Sequence, residues 1–379
     1  MAKTQYTYIE RKHSESGQTG TATYDLPEKG FLPEIILKAY STPTASTNPA
    51  LPLSDAITKI EIIDGGTVIQ SLTGNQVKGL SMIRKYKQLA GLEINDNAAE
   101  GYDDFHILLG GEVDGTMYAP DMSVFSNPQI RVTWDYSQTT TEFGMSCDAD
   151  AAPAMKFTVI GKILREPGPY THGYIKSSVL KEFTQATSTT TVVEIPRGQQ
   201  LLGLGIEAGY DAKDFTDDVN QVKLDFDNGD WIPFHFYQEE IISSQHWWFG
   251  GPFEYSWIAD AIDDKDFDSH MGFLNFIEMT ASSNAGRGFE WQAIRKGVET
   301  LGMYDLATPS AISSYESVYF KSTGFAPFHI WYCPMKEVNG GETSLIDTTA
   351  FSRIELETTS GSSASTSSTP DIIAEYLVS

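Results

Sequence analysis

The stretch Thr21–Gly30, TATYDLPEKG, runs directly into Phe31–Tyr40, FLPEIILKAY. It returns half a chain later as Thr190–Gly198, TTVVEIPRG, followed by Gln199–Tyr210, QQLLGLGIEAGY. Asp25-Leu26-Pro27 lies over Glu194-Ile195-Pro196, and Leu37-Lys38-Ala39 over Ile206-Glu207-Ala208, without a gap. Each copy reads as a half-buried strand, an acid–apolar–proline exit, a glycine-bearing turn and a second apolar strand. One long unit used twice predicts two similar β-domains in tandem.

The next elements repeat as well. After a Ser/Thr/Pro-rich loop (Ser41–Asp55), Ile57, Ile60, Ile62 and Ile63 form a strand that ends in the hairpin turn Asp64-Gly65-Gly66. In the second copy the acid-rich loop Asp211–Asp218 precedes Val222, Leu224 and Phe226, and the turn is Asp227-Asn228-Gly229. The alternation is one residue out of phase between these two strands. Val77, Leu80, Ile83 and Tyr86 predict a short helix over Gln76–Leu89, with Lys78, Arg84, Lys85 and Lys87 on its other face. Trp291, Ile294, Val298 and Leu301 predict another, ending at Gly302. Gln129–Tyr136, Met155–Glu166, Ser317–Cys333 and Phe351–Thr359 read as strands, and IIAEYLV near the end as a last edge strand. Strands at short intervals, long loops and a duplicated unit select an all-β fold of two tandem eight-stranded jelly rolls with short inserted helices. The expected division is an N-terminal arm (1–20), a first roll (21–166), a linker and lead-in (167–183) and a second roll (184–379).

A chain of 379 residues suits two domains of about 150–200 residues each. The 51 acidic against 26 basic residues give a net charge of -25, which argues against direct nucleic-acid binding, since that affinity needs Lys and Arg on phosphates. Cys147 and Cys333 have no metal-ligand spacing and read as unpaired thiols, with one bridge between the halves as the alternative. The N-terminus lacks the apolar segment of a signal peptide, so synthesis in a cytoplasm-like compartment is expected. No run approaches the ~18 apolar residues of a membrane span.

Catalytic chemistry is hard to find. There is no G-x-S-x-G elbow, no H-E-x-x-H and no Walker-A loop, and Gly203-x-Gly205 sits inside a strand. Asp225–Asp230 resembles a calcium loop only loosely, with its glycine one position early. The acid run Ala259–His270 reads as a solvated loop, the sharper alternative being a cation held between subunits. Trp247, Trp248, Phe249, Phe253, Tyr255 and Trp257 read as core or interface packing rather than a sugar-stacking surface, and His246 as a core or rim residue. The Lys78–Lys87 face reads as solvated, or docked on an acidic neighbour of the same protein. No catalytic, cofactor or metal residue is assigned, no cofactor is expected, and the chain reads as a non-enzyme.

The opening unit, ITKIEIIDGGTVIQSLTGNQVKGLSMIRKY, DGTMYAPDMSVFSNPQIRVTWD (Asp114–Asp135) and KFTVIGKILREPGPYTHGYIKS together resemble a double jelly-roll major capsid protein. That family belongs to tailless icosahedral DNA viruses of the adenovirus-like lineage, many with an internal membrane. The resemblance runs from about Thr21 to the end and rests on strand order and turns. It implies pseudo-hexameric homotrimers that tile an icosahedral shell, located in the virion capsid after synthesis in the host cytoplasm. Its implied partners are neighbouring trimers, penton, spike and minor capsid proteins, and an internal viral membrane beneath the shell. The competing reading is a carbohydrate-active enzyme, a lectin or a receptor-binding protein built on two jelly rolls. Removal of residues 1–16 is expected to leave the fold intact.

Overall fold

The computed structural model describes residues 3–17, 19–41, 53–85, 91–94, 101–110, 118–135, 155–165, 173–184, 186–209, 215–261, 267–270, 273–283, 289–291, 300–305, 316–339, 345–364 and 369–378. Eight strands make the first roll: β1 (Thr4–Glu15), β2 (Thr19–Asp25), β3 (Phe31–Ser41), β4 (Lys59–Asp64), β5 (Thr67–Leu72), β6 (Gly101–Leu108), β7 (Pro128–Asp135) and β8 (Met155–Leu164). Eight more make the second: β9 (Tyr174–Glu182), β10 (Thr190–Glu194), β11 (Gln200–Glu207), β12 (Gln221–Phe226), β13 (Trp231–Tyr237), β14 (Ile330–Pro334), β15 (Ile354–Thr359) and β16 (Asp371–Val378).

The ladders repeat strand for strand. In the first roll the sheets run β1-β8-β3-β6 and β2-β7-β4-β5; in the second they run β9-β16-β11-β14 and β10-β15-β12-β13. Each set of eight therefore closes as a jelly roll of two four-stranded sheets. A helix follows the fifth strand in both: α1 (Gly74–Lys85) and α2 (Gln238–Phe249). Even the corner chemistry recurs. Asp64 Oδ1 accepts from the backbone N–H groups of Ser126 (2.9 Å) and Asn127 (2.7 Å), and Asp227 Oδ1 accepts from those of Ser352 (2.6 Å) and Arg353 (2.9 Å). Asp121 and Asp347 each cap a single 3-10 turn that leads into the seventh strand of its roll.

The predicted register holds. Ile35, Leu37 and Ala39 on β3 face the first core, and Leu204, Ile206 and Ala208 face the second, all of them buried. Burying a side chain of leucine or isoleucine size stabilises the fold by about 1.5–3 kcal/mol, so each inward stripe is a strong determinant of its sheet. The phase break at β4 and β12 is physical. The turn after β4 is only Gly65-Gly66, whereas the turn after β12 spans Asp227–Asp230 with left-handed Asp227 and Asn228. Each hairpin carries a bulge, between Ile62 and Ile63 in one and between Leu224 and Phe226 in the other.

Several expectations need correction. The segment read as an arm contains β1, which pairs with β8 from Thr4↔Leu164 to Glu15↔Met155 and forms the edge of its sheet. Removing residues 1–16 would therefore strip a strand. The lead-in read over 167–183 contains β9, paired along β16. IIAEYLV is no edge: β16 lies between β9 and β11, which is why it is apolar on both faces. The stretch Ser317–Cys333 breaks at Phe328-His329 into two strands, with left-handed backbone at Ala326, Phe328 and His329. The helix read over Trp291–Leu301 is overridden at both ends, since Phe289–Trp291 and Thr300–Asp305 are strands paired with each other; residues 292–299 lie outside the described residues. No described helix is long and apolar enough to cross a membrane.

The two rolls are joined through their sheets. β5 meets β9 in a parallel bridge, Ser71↔Ser178, so β2-β7-β4-β5 continues into β9-β16-β11-β14. The other sheet of the first roll continues from β6 through Gly91–Ile94 into strands inserted between α2 and β14. The first core consequently includes Phe328, Ile330, Tyr332 and Ile373 from the second half of the chain.

Candidate functional site

The seam between the rolls shows how one roll recognises another. Its centre is α1. Thr73 and Gln76 cap this helix reciprocally: Thr73 N–H donates to Gln76 Oε1 (3.0 Å) and Gln76 N–H donates to Thr73 Oγ1 (3.1 Å). Val77, Leu80 and Ile83 are buried in the first core. Gly79 lets the helix approach the second roll, since a Cβ there would lie 2.7 Å from Ile330 Cδ1 and 2.7 Å from the Pro327 carbonyl.

The polar side chains of α1 are bonded across the seam. Gln76 Nε2 donates to Glu207 (2.6 Å) and to Asp371 (2.8 Å), two carboxylates paired across the β11–β16 ladder. Burial pushes the Glu207 carboxyl up to about 8, against the Gln76 hydrogen bond that lowers it; neighbouring Asp371 and Asp55 push the same way as burial. Burial likewise raises Asp371 to about 6. Two helical turns along, Arg84 forms an ion pair with Glu375 and donates to the Leu108 carbonyl (3.0 Å). Glu375, fully buried, also accepts from Ser177 Oγ (2.7 Å) and the Tyr332 hydroxyl (2.7 Å). Gly203 makes room for that phenol, because a Cβ there would overlap it. Desolvation and the adjacent Glu375 hold the Tyr332 phenol well above its ordinary range. Lys78 is buried too, paired with Asp103 and ringed by Phe105, Tyr255 and Phe328, with ring centroids 5.3–5.6 Å from its Nζ.

No protein-family model matches the chain, and neither does any curated protein sequence. Solved structures do match, over nearly the full length of both partners. The major capsid protein of Sulfolobus turreted icosahedral virus (STIV) superposes with a TM-score of 0.56 at 9% identity, covering 99% of this chain and 96% of that one. The major capsid protein P2 of bacteriophage PM2 gives 0.52 at 11% identity, covering 100% and 98%. VP54 of PBCV-1 gives 0.55 at 7% identity, covering 99% and 94%. The fold is the double jelly roll of viral major capsid proteins.

Within this double jelly roll the sequence-predicted sites fall as follows. The basic face of α1 is not solvated at Lys78 or Arg84: Lys78 is buried and Arg84 largely so, each against an acidic residue of the same chain. Desolvating them is tolerated only because each has its counter-charge. Lys87 lies outside the described residues. The aromatic run splits up. Phe253 and Tyr255 are core, Trp248 is half-buried 5.7 Å from Trp331, and Trp247 is 59% exposed. His246 sits exposed at the rim. In the loop that resembles a calcium site, Asp225 accepts from Gly229 N–H (2.6 Å) and pairs with Lys223 (2.7 Å), while Asp227 is taken up by Ser352 and Arg353. Cys333 is a buried free thiol, held well above its ordinary range by desolvation, and Cys147 lies outside the described residues. Residues 262–266 and 271–272, in or beside the acid run, also lie outside them. The seam acceptors Glu207, Asp371 and Glu375 carry no local signal, since each sits in an apolar strand far along the chain from its partner.

Proposed function

We propose that the chain is the major capsid protein of a tailless icosahedral virus, a non-enzymatic subunit whose homotrimers tile the shell. The observation that carries this reading is the agreement of both rolls, in order and end to end, with capsid proteins of an archaeal virus, a bacteriophage and PBCV-1. Two like rolls per chain give three chains a pseudo-hexagonal outline, which suits a surface tiled by near-hexagons. The proposed roll boundaries are 4–164 and 174–378, taken from the outermost strands of each set. On this reading the protein is made in the host cytoplasm and resides in the virion capsid, beside neighbouring trimers, penton or spike proteins and minor capsid proteins. The net charge of -25 suits a shell separated from its genome by a membrane and without sequence-specific nucleic-acid contacts.

The test is solution mass by light scattering behind size exclusion, followed by electron microscopy of particles from cells expressing the protein with its viral partners. A trimer of 41.8 kDa chains that enters icosahedral particles is the expected result. A protein that stays monomeric at every salt concentration and is absent from particles would overturn the proposal.

A further inference from the structure

We infer that Lys78 and Asp103 are the two halves of a self-forming isopeptide bond, an amide between Lys78 Nζ and Asp103 Cγ that staples α1 to β6. The bond lies inside one chain and does not depend on the shell reading.

Such a bond needs an amine and a carboxyl held in contact, and surroundings that keep water from undoing it. The contact is the ion pair that α1 and β6 share, in which the side chains of Lys78 and Asp103 are 2% and 7% exposed. The elements that carry them fix their positions. Val77 and Leu80, close beside Lys78 on α1, are buried in the first core. Phe105, two residues beyond Asp103 on the same face of β6, is buried there too. Groups held in contact in this way can react with effective molarities of about 10⁵–10⁸ M. Other lysine–carboxylate pairs offer less. Lys223 beside Asp225 is 20% exposed and Lys38 beside Asp104 is 25% exposed, so water competes for both partners. Glu34, beside Lys162, is already engaged by His106.

The surroundings are aromatic. Phe105, Tyr255 and Phe328 stand round the amine with centroids 5.3–5.6 Å from Nζ, and all three are buried. These rings accommodate the ammonium before reaction and shut out the water that would hydrolyse the amide after it. Two opposite charges are costly to keep in such a place, and a neutral amide removes both. The carboxyl is oriented as well. Asp104 N–H donates to Asp103 Oδ1 (2.9 Å), so a backbone donor already sits on the oxygen that gathers negative charge when Cγ becomes tetrahedral.

The reaction balances within the pair. A proton passes from the Lys78 ammonium to Asp103 Oδ2, leaving a free amine and a carboxylic acid. The Nζ lone pair then forms the bond to Cγ. A second proton moves from the nitrogen to the Oδ2 hydroxyl, the Cγ–Oδ2 bond breaks, and one water departs. No outside reagent is consumed. The product closes a loop from residue 78 to residue 103, which restricts the unfolded chain as a disulfide does. It also ties the helix at the centre of the seam to its own sheet, fixing the face that Gln76 and Arg84 present to the second roll.

The test is the intact mass of the full chain, denatured after the folded protein has stood. The wild type is expected to weigh one water less than its sequence requires, while K78M and D103A, each corrected for its substitution, show the full mass. Protease digestion of the wild type is expected to release a branched peptide that joins the Lys78 segment to the Asp103 segment. Hydroxylamine, which cleaves a succinimide and leaves an amide intact, separates this bond from dehydration at an Asp-Gly pair such as Asp64-Gly65. Where a variant does not fold, the wild-type digest alone decides. A folded, aged wild type with its full mass would overturn the inference, and so would a lost water traced to a succinimide or to other residues.

Discussion

Replacing Arg84 with methionine takes the guanidinium from a carboxylate that is itself fully buried. Glu375 is fully buried and keeps only two neutral donors, Ser177 Oγ and the Tyr332 hydroxyl, each at 2.7 Å. The Leu108 carbonyl loses its donor at the same time. Breaking a buried ion pair from one side costs about 3–5 kcal/mol, and the two remaining hydroxyls keep the figure inside that range. For rolls of this size, about 2–4 °C per kcal/mol converts this to a fall in melting temperature of about 6–20 °C. The variant R84M/E375Q removes the stranded charge and still offers Ser177 and Tyr332 an acceptor, so it should recover at least half of the loss. Urea unfolding followed by tryptophan fluorescence, with the thermal scan beside it, reads both. The reasoning fails if R84M unfolds within about 1 kcal/mol of the wild type, or if the double variant is no more stable than R84M.

Other expectations are simpler to read. Leu37→Asp and Ile206→Asp each place a charge at a fully buried position, and each should abolish cooperative unfolding of its own roll, seen as loss of soluble folded protein. Gly203→Ala should cost about 1–3 kcal/mol by displacing the Tyr332 phenol from Glu375, measured by denaturant midpoint; an unchanged midpoint would show that the phenol has slack. Glu207 and Asp371 keep their protons to about 8 and about 6 in the folded chain, above the ordinary carboxylate range. The folded state therefore binds more protons than the unfolded one above pH ~4, so their contribution is complete below that pH and is lost as pH rises through about 8. Glu207→Gln should flatten most of that slope in a stability profile. Deleting residues 3–16 should expose the β8 edge and produce aggregation rather than a tidy truncated fold.

The duplicated strands were legible because one face of each is buried, which imprints an alternation that survives in Ile35-Leu37-Ala39 and Leu204-Ile206-Ala208 alike. β1 left no such imprint. Its sequence TQYTYIERKHSE is exposed over most of its length, and an edge strand with two wet faces looks like a tail. β16 misled in the opposite direction, since an apolar run that reads as a short edge is in fact buried on both sides. Lys78 and Arg84 read as surface because charged side chains usually are, and the partners that overrule this lie 25 and 291 residues away. At Trp291 and Leu301, the two ends of the run read as a helix, ladder pairing of Phe289–Trp291 with Thr300–Asp305 outweighs the helical spacing. The seam was therefore the least legible feature, since it depends on contacts that only the finished topology creates.

The polar lining of α1 bears on how the chain is made. Among the described residues, the ladders of the first roll's eight strands, apart from the one bridge to β9, close within its own half, so its sheets can pair while the second half is still emerging. Its helix must then wait for partners as distant as Asp371 and Glu375. A waiting face edged with Gln76 and Arg84 stays wetted by solvent and resists sticking to other nascent chains. An aromatic face such as that of α2 in the same position would be an invitation to premature clumping. The helix with the polar face is the one that stands open earliest during synthesis, and α2, with its exposed Trp247, emerges only after all eight strands of the first roll.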